Sequence, residues 1–266
     1  MQFELTNEFL ETLKEDIARL DRDTVSAKVG ELYPADIAEI LDEVSLQEAQ
    51  FIFRLLDDEL SSEVLMELDE DIREKFLASI SDDEIADLVD QLDTDDAADI
   101  IGELPEERQE DVLEKVEDDE HTQDITELLA YDENSAGGLM AKELVKVNLN
   151  WTLLRCVREM RKQAEEVDKV FTVYVVDDED TLVGIVSIKK MLLNTERTLI
   201  KDIYKENAIA VTADMSAEEV VQVSEKYDLI VVPVIDDKKR LIGRITVDDI
   251  MDVVREETSK DYQMMS

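Results

Sequence analysis

The second half of the chain contains an internal duplication. The segment 232–251, VPVIDDKKRLIGRITVDDIM, repeats the pattern of 173–192, VYVVDDEDTLVGIVSIKKML, without a gap and at a constant offset of 59 residues. In both copies, two runs rich in Val and Ile flank an acidic turn, which is typical of a strand pair. A segment with helical spacing precedes each copy, with Asn150 and Ser216 as its predicted N-caps, and another follows it. The fold must therefore contain two helix–strand–strand–helix units within 137–258.

The first half contains a shorter repeat of about twelve residues. Its segments begin near residues 32, 45, 58, 70, 82, 94 and 106, and each has Ser, Asp, Pro or Glu within its first three residues. These residues suit a helix start, and the apolar residues that follow recur at helical spacing. Helices this short are marginal alone, but stacked in series they bury a continuous core. We predict an all-α superhelix over 1–130, with a helical bundle as the alternative.

Charge is distributed unevenly between the two halves. The chain carries a net charge of −42, of which residues 1–130 hold −34 and residues 131–266 hold −8. So acidic a surface repels nucleic acid and anionic lipid, and it attracts cations or basic partners. The sequence therefore predicts no nucleic-acid partner.

The chain has few residues that could support catalysis or a soft-metal site. A single cysteine, Cys156, excludes a disulfide framework and a Cys-rich metal site, and we predict that it is buried. The single histidine, His121, excludes a two-histidine zinc motif and is predicted to lie in a solvated loop. The sequence contains no Gly-rich phosphate loop. It also contains no run of 18 apolar residues that would predict a transmembrane helix. We predict no catalytic residues and no enzymatic activity.

The segment 246–261, TVDDIMDVVREETSKD, is predicted to be a helix crowded with carboxylates. Ile250, Val253 and Val254 form its apolar face, and the acidic residues cover the opposite face. Like charges three and four positions apart destabilise a helix. Carboxylates without Cys or His favour a hard cation such as Mg²⁺, which takes oxygen ligands and keeps several waters. The alternative is that the stripe is only the solvated face of an amphipathic helix.

The duplicated unit resembles a tandem pair of CBS domains. Together with the acidic helical repeat and the junction YDENSAGGLM at 131–140, it resembles the cytosolic part of the MgtE magnesium channel family. The resemblance implies an α + α/β fold with an acidic helical N domain over 1–130, a first CBS domain with the junction over 131–200, a second CBS domain over 201–258 and the start of a connecting "plug" helix over 259–266. It also implies a homodimer formed through the CBS domains, at the cytoplasmic face of the membrane and joined to a transmembrane pore.

The resemblance further implies that several Mg²⁺ ions bind to acidic residues of both regions. In the second CBS domain and its exit, the family's magnesium-binding positions fall on Glu218, Asp228, Asp249, Asp252, Glu257 and Asp261. In the N domain they fall on Asp95 and Asp99, which are four apart and share one helix face. Ions bridging the two regions would favour a closed, compact state.

CBS pairs also bind adenosine nucleotides, so ATP is a second candidate ligand. The ribose-holding pattern is glycine, two apolar residues, Ser or Thr, two more residues and Asp. Gly243, Thr246 and Asp249 match it in the second copy, although Arg244 interrupts the apolar pair. In the first copy Lys190 replaces the Asp, and Thr172 and Leu229 occupy positions that are aromatic in ATP-binding members. The alternatives to magnesium sensing are an adenine-nucleotide sensor and a helical adaptor for a basic protein.

Overall fold

The computed structural model describes residues 3–164, 167 and 170–264, with side chains as far as residue 255. The chain divides into two compact units. The first comprises the residues up to Leu92 together with Asp96–Gln123, and the second comprises Asp93–Asp95 together with the chain from Asp124 onward. The first unit is helical, and the second contains both β-sheets.

Short helices follow one another through the first half, as the repeat predicts. Their bounds are α1 (Asn7–Ala18), α2 (Arg22–Val29), α3 (Pro34–Asp42), α4 (Leu46–Phe53), α5 (Asp58–Glu67), α6 (Glu70–Leu77), α7 (Asp82–Val89), α8 (Thr94–Gly102), α9 (Glu106–Leu113) and α10 (Asp119–Leu128). Ser45 with Glu48, and Ser81 with Glu84, form capping boxes at the starts of α4 and α7. Helix α3 packs on α5, α5 on α7 and α7 on α9, which is the contact pattern of a stacked repeat.

The second half contains two related sheets. Strands β1 (Val145–Asn148), β2 (Val173–Val176), β3 (Leu182–Val186) and β4 (Lys205–Glu206) form one, in that order; β5 (Val211–Thr212), β6 (Val231–Ile235) and β7 (Leu241–Thr246) form the other. In each sheet a parallel pair, β1 with β2 or β5 with β6, precedes the antiparallel hairpin β2–β3 or β6–β7. The helices are α11 (Leu153–Gln163), α12 (Ile188–Leu192), α13 (Ala217–Tyr227) and α14 (Val247–Met264), with a 3₁₀ turn at Ile200–Asp202.

The duplication is visible in the backbone. Asp180 and Lys239 lie at equivalent turn positions and both adopt left-handed conformations, with φ of 61° and 63°. Their carbonyls accept hydrogen bonds across the two copies: Leu241 N–H donates to Asp180 O at 3.0 Å, and Leu182 N–H donates to Lys239 O at 2.9 Å. The hairpins of the two copies are therefore paired to each other.

Gly184 on β3 and Gly243 on β7 lie at equivalent positions, and each leaves room for another segment to pack closely against its strand. A Cβ on Gly243 would lie 2.9 Å from the carbonyl oxygen of Ala141, and one on Gly184 would collide with the carbonyl of Lys205. Residue Ala141 makes an antiparallel bridge to Arg244, and Lys205 belongs to the paired strand β4. A side chain at either glycine would displace these contacts.

Two local predictions are wrong and one is confirmed. Ser216 caps α13 through a capping box with Glu219, as predicted. The N-cap of α11 is Thr152, not Asn150, whose N–H is bound by the Asn148 side chain in the preceding turn at 2.9 Å. His121 lies in helix α10 rather than in a loop, and its Nε2 is 3.1 Å from Val89 O.

Candidate metal centre

Asp249 lies at the junction between strand β7 and helix α14. Its Oδ2 accepts hydrogen bonds from the N–H and the hydroxyl of Thr246, both at 2.7 Å, while the same hydroxyl lies 2.6 Å from Asp248 Oδ1. Burial raises the pKa of the Asp249 carboxyl, and the neighbouring Asp248 charge adds to this, although the Thr246 hydrogen bonds oppose both. Asp249 therefore has a structural role in capping α14, and this role engages one of its two oxygens.

Asp252 lies one turn further along α14. It shares a helix face with Asp249 because the two are three positions apart. Its carboxylate pairs with Arg255 Nη1 at 2.7 Å, and both side chains are exposed. Such surface pairs contribute little stability and exchange readily with water, so Arg255 is a weak competitor for a cation. The predicted ligands Glu257 and Asp261 lie outside the residues whose side chains are described.

Glu218 and Asp228 lie at opposite ends of α13. Glu218 is exposed in the first turn, and Asp228 is the C-cap, in the left-handed conformation with φ of 52°. A helix rises 1.5 Å per residue, so these two residues are separated by about 15 Å along the axis. They cannot bind one ion within a single chain. Helix α13 packs against α14, which carries Asp249 and Asp252.

Asp95 and Asp99 lie on helix α8, one turn apart, as predicted. Asp95 is half-buried and Asp99 is exposed. The Asp99 charge acts on Arg73: burial lowers the pKa of that guanidinium, but its hydrogen bonds to Glu103 and the charges of Glu103 and Asp99 outweigh burial and raise it. The sequence analysis missed this neighbouring cation, which reduces the repulsion around Asp99.

These carboxylates occur as pairs rather than as a complete coordination shell. Asp95 with Asp99, and Asp249 with Asp252, each offer oxygens on one helix face. Among the side chains that the structure describes, no group of three or more His, Cys, Asp or Glu is placed to hold a metal ion. Mg²⁺ keeps several waters and uses one or two carboxylates, so each pair has the donor chemistry for part of a magnesium site.

A narrow cavity lies beside one of the nucleotide candidates, Thr172. Thr172, Tyr174, Val231 and Arg244 are among its lining residues, and its volume is about 10 Å³, the space of one water. The buried Tyr174 hydroxyl has no hydrogen-bond partner among the described residues, and burial raises its pKa. Arg244, which the sequence analysis noted only as an interruption of a pattern, is buried there and binds Asp93.

Two family models cover most of the chain. Residues 32–134 match the model described as the MgtE intracellular N domain, and residues 136–194 and 200–256 each match that of the CBS domain. Among the described residues, no helix is long and apolar enough to cross a membrane.

Curated relatives give the same family for part of the chain. A magnesium transporter MgtE of Enterococcus faecalis is 38% identical over 143 residues, which are 54% of this chain and 32% of that protein. A magnesium transporter MgtE of Thermus thermophilus is 33% identical over 142 residues, which are 53% of this chain and 32% of that protein. The chain thus spans about a third of the length of these relatives, which are transporters rather than enzymes.

Solved structures match nearly the whole chain. A crystal structure of the soluble part of a magnesium transporter superposes with a TM-score of 0.80 at 28% identity, covering 94% of this chain and 98% of that one. The cytosolic domain of the Mg²⁺ channel MgtE, in complex with ATP, superposes with a TM-score of 0.82 at 28% identity, covering 91% of this chain and 97% of that one.

Proposed function

Because this chain belongs to the MgtE family, with the family's N domain followed by two CBS domains, we propose that it senses Mg²⁺ and regulates a magnesium channel. In this proposal Mg²⁺ binds between the acidic N domain and the CBS domains and favours a closed, compact state. Closure at high Mg²⁺ shuts the pore, so that the imported Mg²⁺ limits its own influx.

The observation that carries this proposal is the occurrence of carboxylate pairs on separate helices. Asp95 and Asp99 lie one turn apart on α8, and Asp249 and Asp252 lie one turn apart on α14. A hydrated Mg²⁺ ion needs only one or two carboxylates from each side. Without ions the negative charge of the N domain opposes approach of a second acidic face. The ion shifts the equilibrium only by its higher affinity for the closed state.

We propose that the chain acts as a homodimer paired through its CBS domains, at the cytoplasmic face of a membrane. This chain covers 32% of each curated relative. The transmembrane pore would lie in the part of those relatives that the chain does not cover. Helix α14 continues without a break from the second CBS domain to Met264. It is the element through which a conformational change would reach that pore.

Thermal melting against Mg²⁺ concentration tests the proposal. A ligand at 100 times its dissociation constant stabilises the folded state by about 2.7 kcal/mol per site. We expect a rise in Tm with MgCl₂ and a much smaller rise with NaCl or KCl at the same ionic strength, because generic screening depends on ionic strength alone. Equal shifts in all three salts would leave the carboxylates as an ordinary solvated surface and contradict the proposal.

An adenine-nucleotide sensor is the second candidate, favoured by the ATP complex of the similar cytosolic domain. Against it, Asp249 Oδ2 is engaged by Thr246, and Lys190 replaces the acid of the first copy. If ATP is the signal, ATP with Mg²⁺ held constant should raise Tm more than Mg²⁺ alone does. If Mg²⁺ is the signal, most of the shift should remain without nucleotide.

A further inference from the structure

Arg244 is an unusual residue for the middle of strand β7. The CBS nucleotide pattern has an apolar residue at this position, yet Arg244 is only 5% exposed. A guanidinium retains its charge when buried, and burying it is unfavourable unless it is paired and hydrogen-bonded. The partners of Arg244 therefore indicate why the position carries a charge.

The guanidinium binds two groups from distant parts of the chain. Its Nη2 lies 2.9 Å from Asp93 Oδ2, and its Nε donates to the carbonyl oxygen of Glu143. The backbone of Arg244 also exchanges two hydrogen bonds with Ala141, at 2.8 and 2.9 Å. The side chain thus extends from a fixed strand to Asp93, directly before helix α8.

The same short segment is held from a second direction. The Glu143 carboxylate accepts from the N–H of Thr94 at 3.2 Å and from its hydroxyl at 2.9 Å, and Lys142 N–H donates to that hydroxyl at 2.8 Å. Thr94 is 1% exposed. Segment Asp93–Asp95 accordingly groups with the second unit, although helix α8 continues beyond it.

We propose that Arg244 is a resident cation that anchors Asp93–Asp95 to strand β7 without a metal ion. It is a positioning residue: it binds Asp93 directly, and Glu143, whose carbonyl it also binds, holds Thr94, the residue before Asp95. This inference deepens the proposed function and rests on it for the role of Asp95 as a magnesium ligand, whereas the anchor itself requires no Mg²⁺. In the apo protein, the segment Asp93–Asp95 would then remain bound to β7.

Hydrogen exchange of the Thr94 and Asp95 amides in EDTA tests the anchor. The variant Arg244→Ile restores the apolar residue of the pattern and removes the charge. We expect these two amides to exchange faster by about tenfold or more, the scale set by one charge-assisted hydrogen bond, while the amides of the β6–β7 ladder keep the parent rates. If Arg244 only stabilised the strand, its replacement would accelerate exchange both at Thr94 and Asp95 and in the β6–β7 ladder.

Arg240→Gln is the matched control. Arg240 lies in the same hairpin and pairs with Asp236, but at 49% side-chain exposure. Its replacement should leave the Thr94 and Asp95 amides within about twofold of the parent, because exposed pairs contribute little.

A double-mutant cycle keeps the test decisive if a variant is too unstable for exchange measurements. Asp93→Asn leaves a buried guanidinium without its anion, whereas Arg244→Ile leaves the less buried Asp93 to be solvated. Asp93→Asn should therefore lower Tm more than Arg244→Ile, and the double variant should melt close to Arg244→Ile alone. Additive Tm shifts, or unchanged Thr94 exchange in Arg244→Ile, would overturn the anchor.

The anchor and the proposed function can each be rejected without rejecting the other. Fast exchange at Thr94 in the parent under EDTA would reject the anchor and leave magnesium sensing intact. Slow exchange under EDTA, combined with no Mg²⁺-specific change in Tm, would support the anchor and reject the magnesium proposal.

Discussion

The two halves of the molecule differ in net charge, which is −34 in residues 1–130 and −8 in residues 131–266. In the helical region (residues 3–130), burial raises the pKa of Asp42, and the like charges of Asp69, Glu43 and Glu39 raise it further. In the duplicated region (residues 131–264), the N–H of Glu179 and then that of Thr181 lower the pKa of the turn residue Asp177. Asp42 thus experiences the repulsion of the more acidic region, whereas the charge of Asp177 is stabilised by backbone N–H groups. Added cations should stabilise the helical region more.

The largest difference between the two regions is expected when one fully buried isoleucine in each is replaced by alanine, which creates a cavity. Ile85 on α7 and Ile245 on β7 are both fully buried, and replacing either with Ala should cost about 2–5 kcal/mol. We expect the helical region of Ile85→Ala to be unfolded at about 0.01 M salt and folded again at about 1 M salt. The Debye length falls from about 30 to about 3 Å over this range, so the repulsion between carboxylates is screened. Ile245→Ala should depend much less on salt. Urea unfolding at both salt concentrations, followed by regional hydrogen exchange, measures this, and equal salt dependence would remove the contrast.

A smaller effect is expected from the predicted ligands of the helical region. The double variant Asp95→Asn with Asp99→Asn keeps size and removes two charges. An amide oxygen is a poorer Mg²⁺ ligand than a carboxylate, so the Mg²⁺ midpoint for stabilisation should rise by about tenfold, the scale on which metal sites respond to the loss of supporting groups.

The control for that variant is Glu107→Gln with Asp111→Asn. These residues are also four apart, on helix α9, and both are exposed. The control removes equal charge from the same region, so it should lower the repulsion equally while keeping the parent midpoint. If both double variants shift the midpoint alike, Asp95 and Asp99 act only through bulk charge.

The smallest expected effect is a pH dependence of opposite sign at two carboxylates, Asp42 and Asp177. The raised pKa of Asp42 means that its contribution is fully present below the ordinary value of 3.8 and is lost as pH rises through the folded pKa. The lowered pKa of Asp177 means that its contribution is present above 3.8 and is lost as pH falls through its folded pKa. Acidification toward pH 4 should therefore slow the exchange of the amides around Asp42 relative to those around Asp177. Hydrogen exchange of these two sets of amides, corrected for intrinsic rates, measures this, and a relative change in the opposite direction would contradict it.

The fold could be predicted because its signals are local. Capping residues at twelve-residue spacing mark the helix starts of the first half, and Ser45 with Glu48 satisfies N–H groups within its own turn. The duplicated hairpins followed from Val and Ile runs around acidic turns. Cys156 is buried, as predicted, and burial raises its pKa to about 11.

Apart from the local N-cap error at Asn150, the errors and omissions involve partners far apart in the sequence. His121 lies in a polar stretch, but its ring contacts Val89 O, 32 residues away. Arg244 contacts Asp93, 151 residues away, and Glu143, 101 residues away. An arginine inside an otherwise apolar strand was the available signal, because a buried guanidinium requires an anion. The sequence could not identify which carboxylate of this acidic chain would supply it.

Small-angle X-ray scattering against Mg²⁺ concentration tests the central claim most directly. The radius of gyration of the parent protein should fall as MgCl₂ is added and stay nearly constant in NaCl of the same ionic strength, with protein concentration varied to separate compaction from dimerisation. The Asp95→Asn with Asp99→Asn variant should start slightly more compact and require more Mg²⁺. An unchanged radius in MgCl₂, or an equal fall in NaCl, would contradict ion-driven closure.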